Sequence, residues 1–226
     1  MPLLEVIVTS LEDARAAARG GAGRLEVVRA LDQEGLTPPV DLVAAIASAV
    51  TVPLRVMVRA RNAFEATADE VAGMCADARA MAALGVEGIV CGYVRDGVLD
   101  AGAIARLAQA AGTCRVTVHR ALEATRDPLA ALASLAAFPQ VDRVLVTGLP
   151  GEWPARLARL EQFARMVPAG VRVIAGGGVD AEAVGLIARQ ASIDEVHVGR
   201  AVRVAATAEG AVDASRVASL VAALTT

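Results

Sequence analysis

The chain has 226 residues, 55% of them hydrophobic and 21% charged, with a formal net charge of −3. That balance excludes a disordered chain, and it excludes the broad basic footprint on which nucleic-acid binding depends. All 22 basic residues are arginine, which rules out Schiff-base catalysis by a lysine amine.

Aromatic residues are only 2%, so a core must come from Ala, Val, Leu and Ile. The segment MPLLEVIVTSLEDA carries no positive leader and enters a strand-like run at once. No apolar run approaches the roughly 20 residues of a membrane helix. The expectation is a cytoplasmic protein with no membrane and no nucleic-acid partner. Cys75, Cys91 and Cys114 are widely spaced with no CxxC, which supports neither a disulfide framework nor a zinc site.

Taken in order, LLEVIV (3–8) reads as a buried strand, and Ser10-Leu11-Glu12-Asp13 opens a helix with an N-capping pattern. RLEVVR (24–29) is the second strand. The long loop DQEGLTPPVDL (32–42) follows, stiffened by Gly35 and Pro38-Pro39 and placed to act as a lid, with a helix starting near Pro39-Val40-Asp41. LRVMVR (54–59) leads to a helix opened by Thr67-Ala68-Asp69-Glu70. GIVCGYV (88–94) and RVTVHRA (115–121) come next, then a helix start at Asp127-Pro128. RVLVTG (143–148), VRVIAGG (171–177) and EVHVGR (195–200) complete the strands. Helix starts at Trp153-Pro154 and Asp180-Ala181-Glu182 separate them, and a last helical segment covers about 211–224. Eight βα units without a shift in composition predict one domain, residues 1–226, folded as a (β/α)8 TIM-type barrel. An open doubly wound sheet would place glycines directly after its first strand, and Val8-Thr9-Ser10-Leu11 has none.

Polar residues inside these apolar strands need partners. Glu5, Glu26, Arg55, Arg59, Thr117, His119, Thr147 and His197 are expected to face the lumen, with Glu5 and Glu26 pairing to Arg55 or Arg59. Two readings compete: a buried ion network that fixes the barrel, or a polar pocket at the C-terminal rim. Arg59, His119, Arg120, Thr147 and Arg200 all end strands, which favours the pocket. His119 suits proton transfer or metal ligation, whereas His197 lies mid-strand and reads as a core residue. Arg120 points away from His119 if the strand continues. In VIAGGGVDAEAV (173–184) and VGRAV (198–202), Gly176, Gly177, Gly178 and Gly199 could hold an anion on backbone N–H groups.

The segments LEVIVTSLEDARAAARGGAGRLEVV, EGLTPP, VMVRAR, VTVHRALE, VIAGGGVDAE and EVHVGRAV, in this order, resemble the CutC family, described as copper homeostasis proteins. Glu5, Glu26, Thr37, Arg59, Arg61, His119, Arg120, Gly176–Gly178 and His197 match its pattern. The family usually has cysteines where this chain has Ile7 and Val28, and an aspartate where it has Glu123; Gly199-Arg200-Ala201 also departs. The resemblance implies a (β/α)8 barrel, a cytosolic location, often a homodimer, and copper as the cofactor. Ile7 and Val28 remove the soft thiolates that Cu(I) prefers. The metal ligands that remain would be His119, Glu26 and His197, a set better suited to Cu(II). The first expectation is therefore copper or a small ligand at the rim. The alternative is an enzyme acting on a small anionic or phosphorylated metabolite. In that scheme His119 is general acid/base tuned by Glu26 or Glu5. Arg59 and Arg61 neutralise charge, and Thr147, Gly176–Gly178, Gly199 and Arg200 hold the ligand. A third possibility is a non-catalytic scaffold that works through a dimer interface.

Overall fold

In the computed structural model, which describes residues 2–148, 150–190 and 192–225, strands and helices alternate along the chain. They are β1 (Leu3–Val8), α1 (Leu11–Arg19), β2 (Arg24–Val27), α2 (Val40–Ala49), β3 (Leu54–Met57), α3 (Ala68–Ala83) and β4 (Gly88–Cys91). A short hairpin of β5 (Val94–Arg95) and β6 (Val98–Leu99) precedes α4 (Ala101–Ala110). Then come β7 (Arg115–Val118), α5 (Pro128–Ser134), β8 (Val141–Val146), α6 (Trp153–Met166), β9 (Arg172–Ala175), α7 (Ala181–Ala188), β10 (Glu195–Val198) and α8 (Ala214–Thr225). Eight parallel strands close in the order β1-β10-β9-β8-β7-β4-β3-β2. This is the expected TIM-type barrel. No helix among the described residues is long and apolar enough to cross a membrane.

Local chemistry starts the helices where the sequence indicates. Ser10 Oγ accepts the Asp13 N–H at 3.0 Å, and Thr67 with Glu70 forms a full capping box at α3. Two features went unread in the sequence. Helix α4 is capped by Asp100, whose Oδ1 accepts the Ala103 N–H. The hairpin turns on Asp96-Gly97, both at positive φ, an Asp-Gly signal for a tight hairpin.

Most strands stop two or three residues before the expected end: β2 at Val27, β3 and β4 at Met57 and Cys91, β7 at Val118, β10 at Val198. The backbone leaves the ladder at the rim and turns into the loops that build the site. At Gly92 a Cβ would stand 2.8 Å from His119 Nδ1, so only glycine lets this chain pass beside that ring.

The lower lumen holds a continuous chain of charge. Arg55 pairs with Glu87 at 2.8 Å and grips both oxygens of Asp142 at 3.0 and 2.8 Å. Asp142 pairs with Arg143, and Arg143 with Glu195 at 2.7 Å. Arg24 joins Glu195 to Glu5. The pairing expected from sequence is thus corrected. Neither Glu5 nor Glu26 meets Arg55 or Arg59. Parallel-strand register sets Glu5 beside Arg24 on β2, and the Arg55 guanidinium is already taken by Glu87 and Asp142.

Arg203, itself buried, reaches Asp13 at 2.9 Å and the Gly210 carbonyl at 2.7 Å, while Asp13 also accepts the Val212 N–H. This clasp ties the segment before α8 to α1. Removing one member of a buried ion group leaves the rest uncompensated. We therefore expect Arg24→Met, which strands Glu5 and Glu195, to lower unfolding stability by about 3–5 kcal/mol in urea titrations.

Candidate active site at the barrel rim

A cavity of about 150 Å³ opens over the C-terminal strand ends, room for roughly five water molecules at liquid density. Its floor is the top of the ion chain. Glu5, held by Arg24, accepts from His197 Nδ1 at 2.7 Å, and His197 Nε2 lies 3.5 Å from Glu26 Oε2. Glu26 Oε1 is buried without a hydrogen-bond partner. Burial raises the Glu5 carboxyl, but the Arg24 charge and the His197 hydrogen bond outweigh it and hold the pKa at about 2. Burial pushes Glu26 up to about 7, with the His197 charge opposing and the Glu5 charge adding. For His197, burial works against the charged form, and the hydrogen bond to Glu5 and the charge of Glu26 overcome it, so its pKa is raised. His197 is buried and partnered, as a core residue would be, and it also lines the cavity.

His119 is set differently. It caps the 3₁₀ turn Arg120–Ala124, with Nδ1 accepting the Ala121 N–H at 3.2 Å. Accepting there puts the proton of the neutral ring on Nε2, which is buried with no partner. Burial, then the charges of Arg59 and Arg120, push its pKa down to about 3. At neutral pH His119 is a fixed, uncharged donor.

The rim above is cationic. Arg59 is buried at 3% exposure and pairs with no carboxylate among the described residues. It donates to Asn62 Oδ1 at 3.0 Å and stacks over Phe64, 5.2 Å from the ring centre. Burial and the Arg120 charge hold its pKa below the ordinary range. Arg120 does not point away as expected. The chain has already left β7 for the 3₁₀ turn, so strand alternation no longer applies, and Arg120 lines the cavity and pairs with Glu34 at 2.5 Å. The loop after β2 lies over the mouth, with Leu31, Glu34 and Gly35 in the lining. Ala30 and Glu34 both hold positive φ there, and Thr37 pins the loop by exchanging hydrogen bonds with the backbone of Arg59.

Gly177, Gly178 and Gly199 line the cavity. The N–H groups of Gly177 and Gly178 carry no protein hydrogen bond among the described residues, and both residues sit at positive φ. Gly176 lies below, where a Cβ would meet Leu145 at 2.7 Å. The glycine loop is held from behind by Arg156, which donates to the carbonyls of Thr147, Gly176 and Gly177 at 2.8, 2.9 and 2.6 Å. Glu123 fastens the end of β8 by accepting the N–H groups of Thr147 and Gly148 and the Thr147 hydroxyl. Sequence reading missed Arg156 altogether, because an arginine on an outer helix carries no local signal.

Thr147 and Arg200 line the cavity, Arg200 from an exposed position. Arg61 does not. It is half exposed and committed to Glu70 at 2.7 Å outside the cavity, because the chain beyond Arg59 has turned outward. Glu5 also lies beneath the lining and acts through His197.

The donors do not fit copper. Glu5, Glu26 and His197 form the metal-capable group among the described residues, with ligand atoms within 4.8 Å of one another, and His119 stands outside it. Glu5 is already neutralised by Arg24 and His197. His119 would have to surrender its bond from Ala121 to offer Nε2 as a lone pair. Met57 is the single sulfur in the lining, whereas Cys75, Cys91 and Cys114 are buried elsewhere and burial raises the Cys91 thiol to about 12. Cu(I) selects soft thiolate and thioether sets, and one thioether does not make one.

An eight-stranded parallel barrel with a polar cavity over its strand ends defines an α/β barrel protein of the TIM type. The chain belongs to the CutC family, whose model matches residues 2–202. A family protein CutC from Mesorhizobium japonicum is 35% identical over 199 residues, covering 87% of this chain and 77% of the relative. The copper homeostasis protein cutC homolog of Mus musculus is 34% identical over 179 residues, 78% of this chain and 65% of the mouse protein. The crystal structure of a CutC protein from Streptococcus agalactiae superposes with a TM-score of 0.81 at 21% identity, over 88% of this chain and 98% of that one.

The opposite settings of His119 and Glu26 carry a sign. Between about 6.5 and 3, an unfolded chain protonates His119 while the folded one does not, so acidification costs stability. Between 4.5 and about 7, the folded chain keeps a proton on Glu26 that the unfolded chain gives up, so acidification adds stability. Urea titrations from pH 6.5 to 4.5 should show a shallower acid loss for His119→Asn and a steeper one for Glu26→Gln. Each slope should change by up to about 1.4 kcal/mol per pH unit, one proton's worth.

Proposed function

We propose that the rim cavity binds a small anionic, phosphate-bearing metabolite and moves a proton on it, rather than holding a copper ion. The observation that carries this reading is Arg59: a buried guanidinium with no carboxylate partner among the described residues, beside Arg120 in a lining that also offers two glycine N–H groups. Burying an uncompensated cation is costly, and an anion removes that cost. Gly177 and Gly178 supply backbone donors of the kind that cradle phosphate, and Arg156 fixes their direction from behind. Arg200 stands at the opening.

Catalytic machinery lies deeper. Glu26 is poised to exchange a proton near neutral pH, the range in which general acid–base groups work best. His119 is neutral and presents its Nε2–H to a ligand oxygen, whereas Glu26 is the base. His197 and Glu5 position Glu26 and tune it.

Inorganic phosphate should protect the folded protein against heat and bind measurably by calorimetry. Arg59→Ala should weaken it about tenfold or more, the scale of one lost hydrogen bond to a charged group. Titrations of Cu(I) and Cu(II) against a competing chelator should show no stoichiometric site. Tight copper binding that vanishes in His119→Ala, with phosphate ignored, would overturn the proposal and make the family description literal for this chain.

A further inference from the structure

We infer that the ligand is an α-hydroxy carbonyl compound with a phosphate tail, and that the cavity catalyses proton transfer between its two oxygen-bearing carbons, an aldose–ketose type isomerisation. The inference rests on the anionic reading above and specifies the reacting end. Two buried polar atoms in the lining residues lack any partner: Glu26 Oε1, an acceptor, and His119 Nε2, a donor. Both side chains are more than nine-tenths buried, where an unsatisfied polar atom is costly. A ligand that satisfies both presents a C–H or O–H proton to Glu26 and an oxygen to His119. An α-hydroxy carbonyl does so at adjacent atoms.

The chemistry balances within this set. The Glu26 carboxylate takes the proton from the carbon beside the carbonyl, and that C–H electron pair becomes the carbon–carbon double bond of an enediolate. The carbonyl π pair moves onto oxygen, which takes the Nε2 proton of His119. The neighbouring hydroxyl returns a proton to that nitrogen, its oxygen becomes the new carbonyl, and Glu26 delivers its proton to the other carbon. The formula is unchanged and no co-reactant is needed. A neutral imidazole suits this role because its proton affinity is matched to the enediolate, whereas an imidazolium would be mismatched. The bond from Ala121 fixes that tautomer, and Arg59 adds positive charge beside the developing oxyanion.

Covalent catalysis through an amine or a thiol finds no nucleophile here. The sequence has no lysine for a Schiff base, and no cysteine lines the cavity. At about 150 Å³, the open cavity suits a short-chain compound, with the phosphate towards the glycine loop.

The test uses the full chain in D₂O with dihydroxyacetone phosphate and ribulose 5-phosphate, each beside its phosphate-free form. Proton NMR follows loss of signal at the carbon next to the carbonyl. Phosphoglycolohydroxamate, a planar enediolate mimic, is titrated in parallel. The expected result is exchange into at least one phosphorylated compound, with the mimic bound more tightly than inorganic phosphate. Glu26→Gln should slow exchange about 100-fold or more, the scale of a lost general base, and still bind the mimic. His119→Asn, independent of that substitution, should slow exchange while weakening the mimic more than phosphate. If phosphate binds and wild type exchanges no proton, the isomerisation fails and the anionic reading stands. If neither phosphate nor the mimic binds, both fall. Exchange indifferent to Glu26 and His119 would also overturn the assignment.

Discussion

The structure hangs on one run of paired charges inside the barrel. From Glu87 through Arg55, Asp142, Arg143, Glu195, Arg24 and Glu5, alternating signs climb to His197 and Glu26. A barrel lumen is too dry to tolerate a lone charge, so each member fixes the rotamer of the next. With so few aromatics, much of the interior that other barrels fill with bulky apolar layers is filled here by arginine and glutamate. Such a network contributes less to net stability than to specificity: it selects one register of eight strands, since a slip of one residue would turn every charge towards the helices.

The chain of charge also ends asymmetrically, and the site is that end. Every lower carboxylate in the run has an arginine against it, whereas among the described residues Glu26 has only His197 at 3.5 Å and one oxygen without a partner. Its acidity is therefore left to burial and to its neighbours rather than to a tight ion pair. A few residues away, Arg59 shows the converse, a cation without a carboxylate. Acid and base properties on one wall and positive charge on another follow from where pairing stops.

The supporting shell is as informative as the lining. Arg156 and Glu123 stand outside the cavity lining, yet between them they satisfy the carbonyls and N–H groups of the loop after β8 and the start of the glycine loop. That leaves the Gly177 and Gly178 N–H groups available. Thr37 does the same for the loop across the mouth. Sites positioned through such shells keep their geometry without a bound ligand. The family description and the donor set pull in different directions: homology brings the copper homeostasis name, and the residues offer oxygen, nitrogen and a single thioether.

The sequence by itself determined the architecture. Strand–helix alternation, Ser10, Thr67, Asp127 and Asp180 at helix starts, and polar residues at strand ends suffice for a barrel with a rim pocket, because caps and periodicity are local. It also singled out Glu26, Arg59, His119, Thr147 and the glycine loop, since polar groups in apolar strands stand out. Only the tertiary structure decided which charges pair, because Arg24–Glu195 and Arg55–Asp142 join residues 171 and 87 positions apart through barrel closure and register. It decided that Arg61 faces away and that Arg120 turns in, both consequences of where the backbone leaves the ladder. It decided, too, that the charged form is disfavoured at His119 and favoured at His197. The two imidazoles are chemically identical in the sequence, and both are buried; what separates them is two arginines near one and two carboxylates against the other.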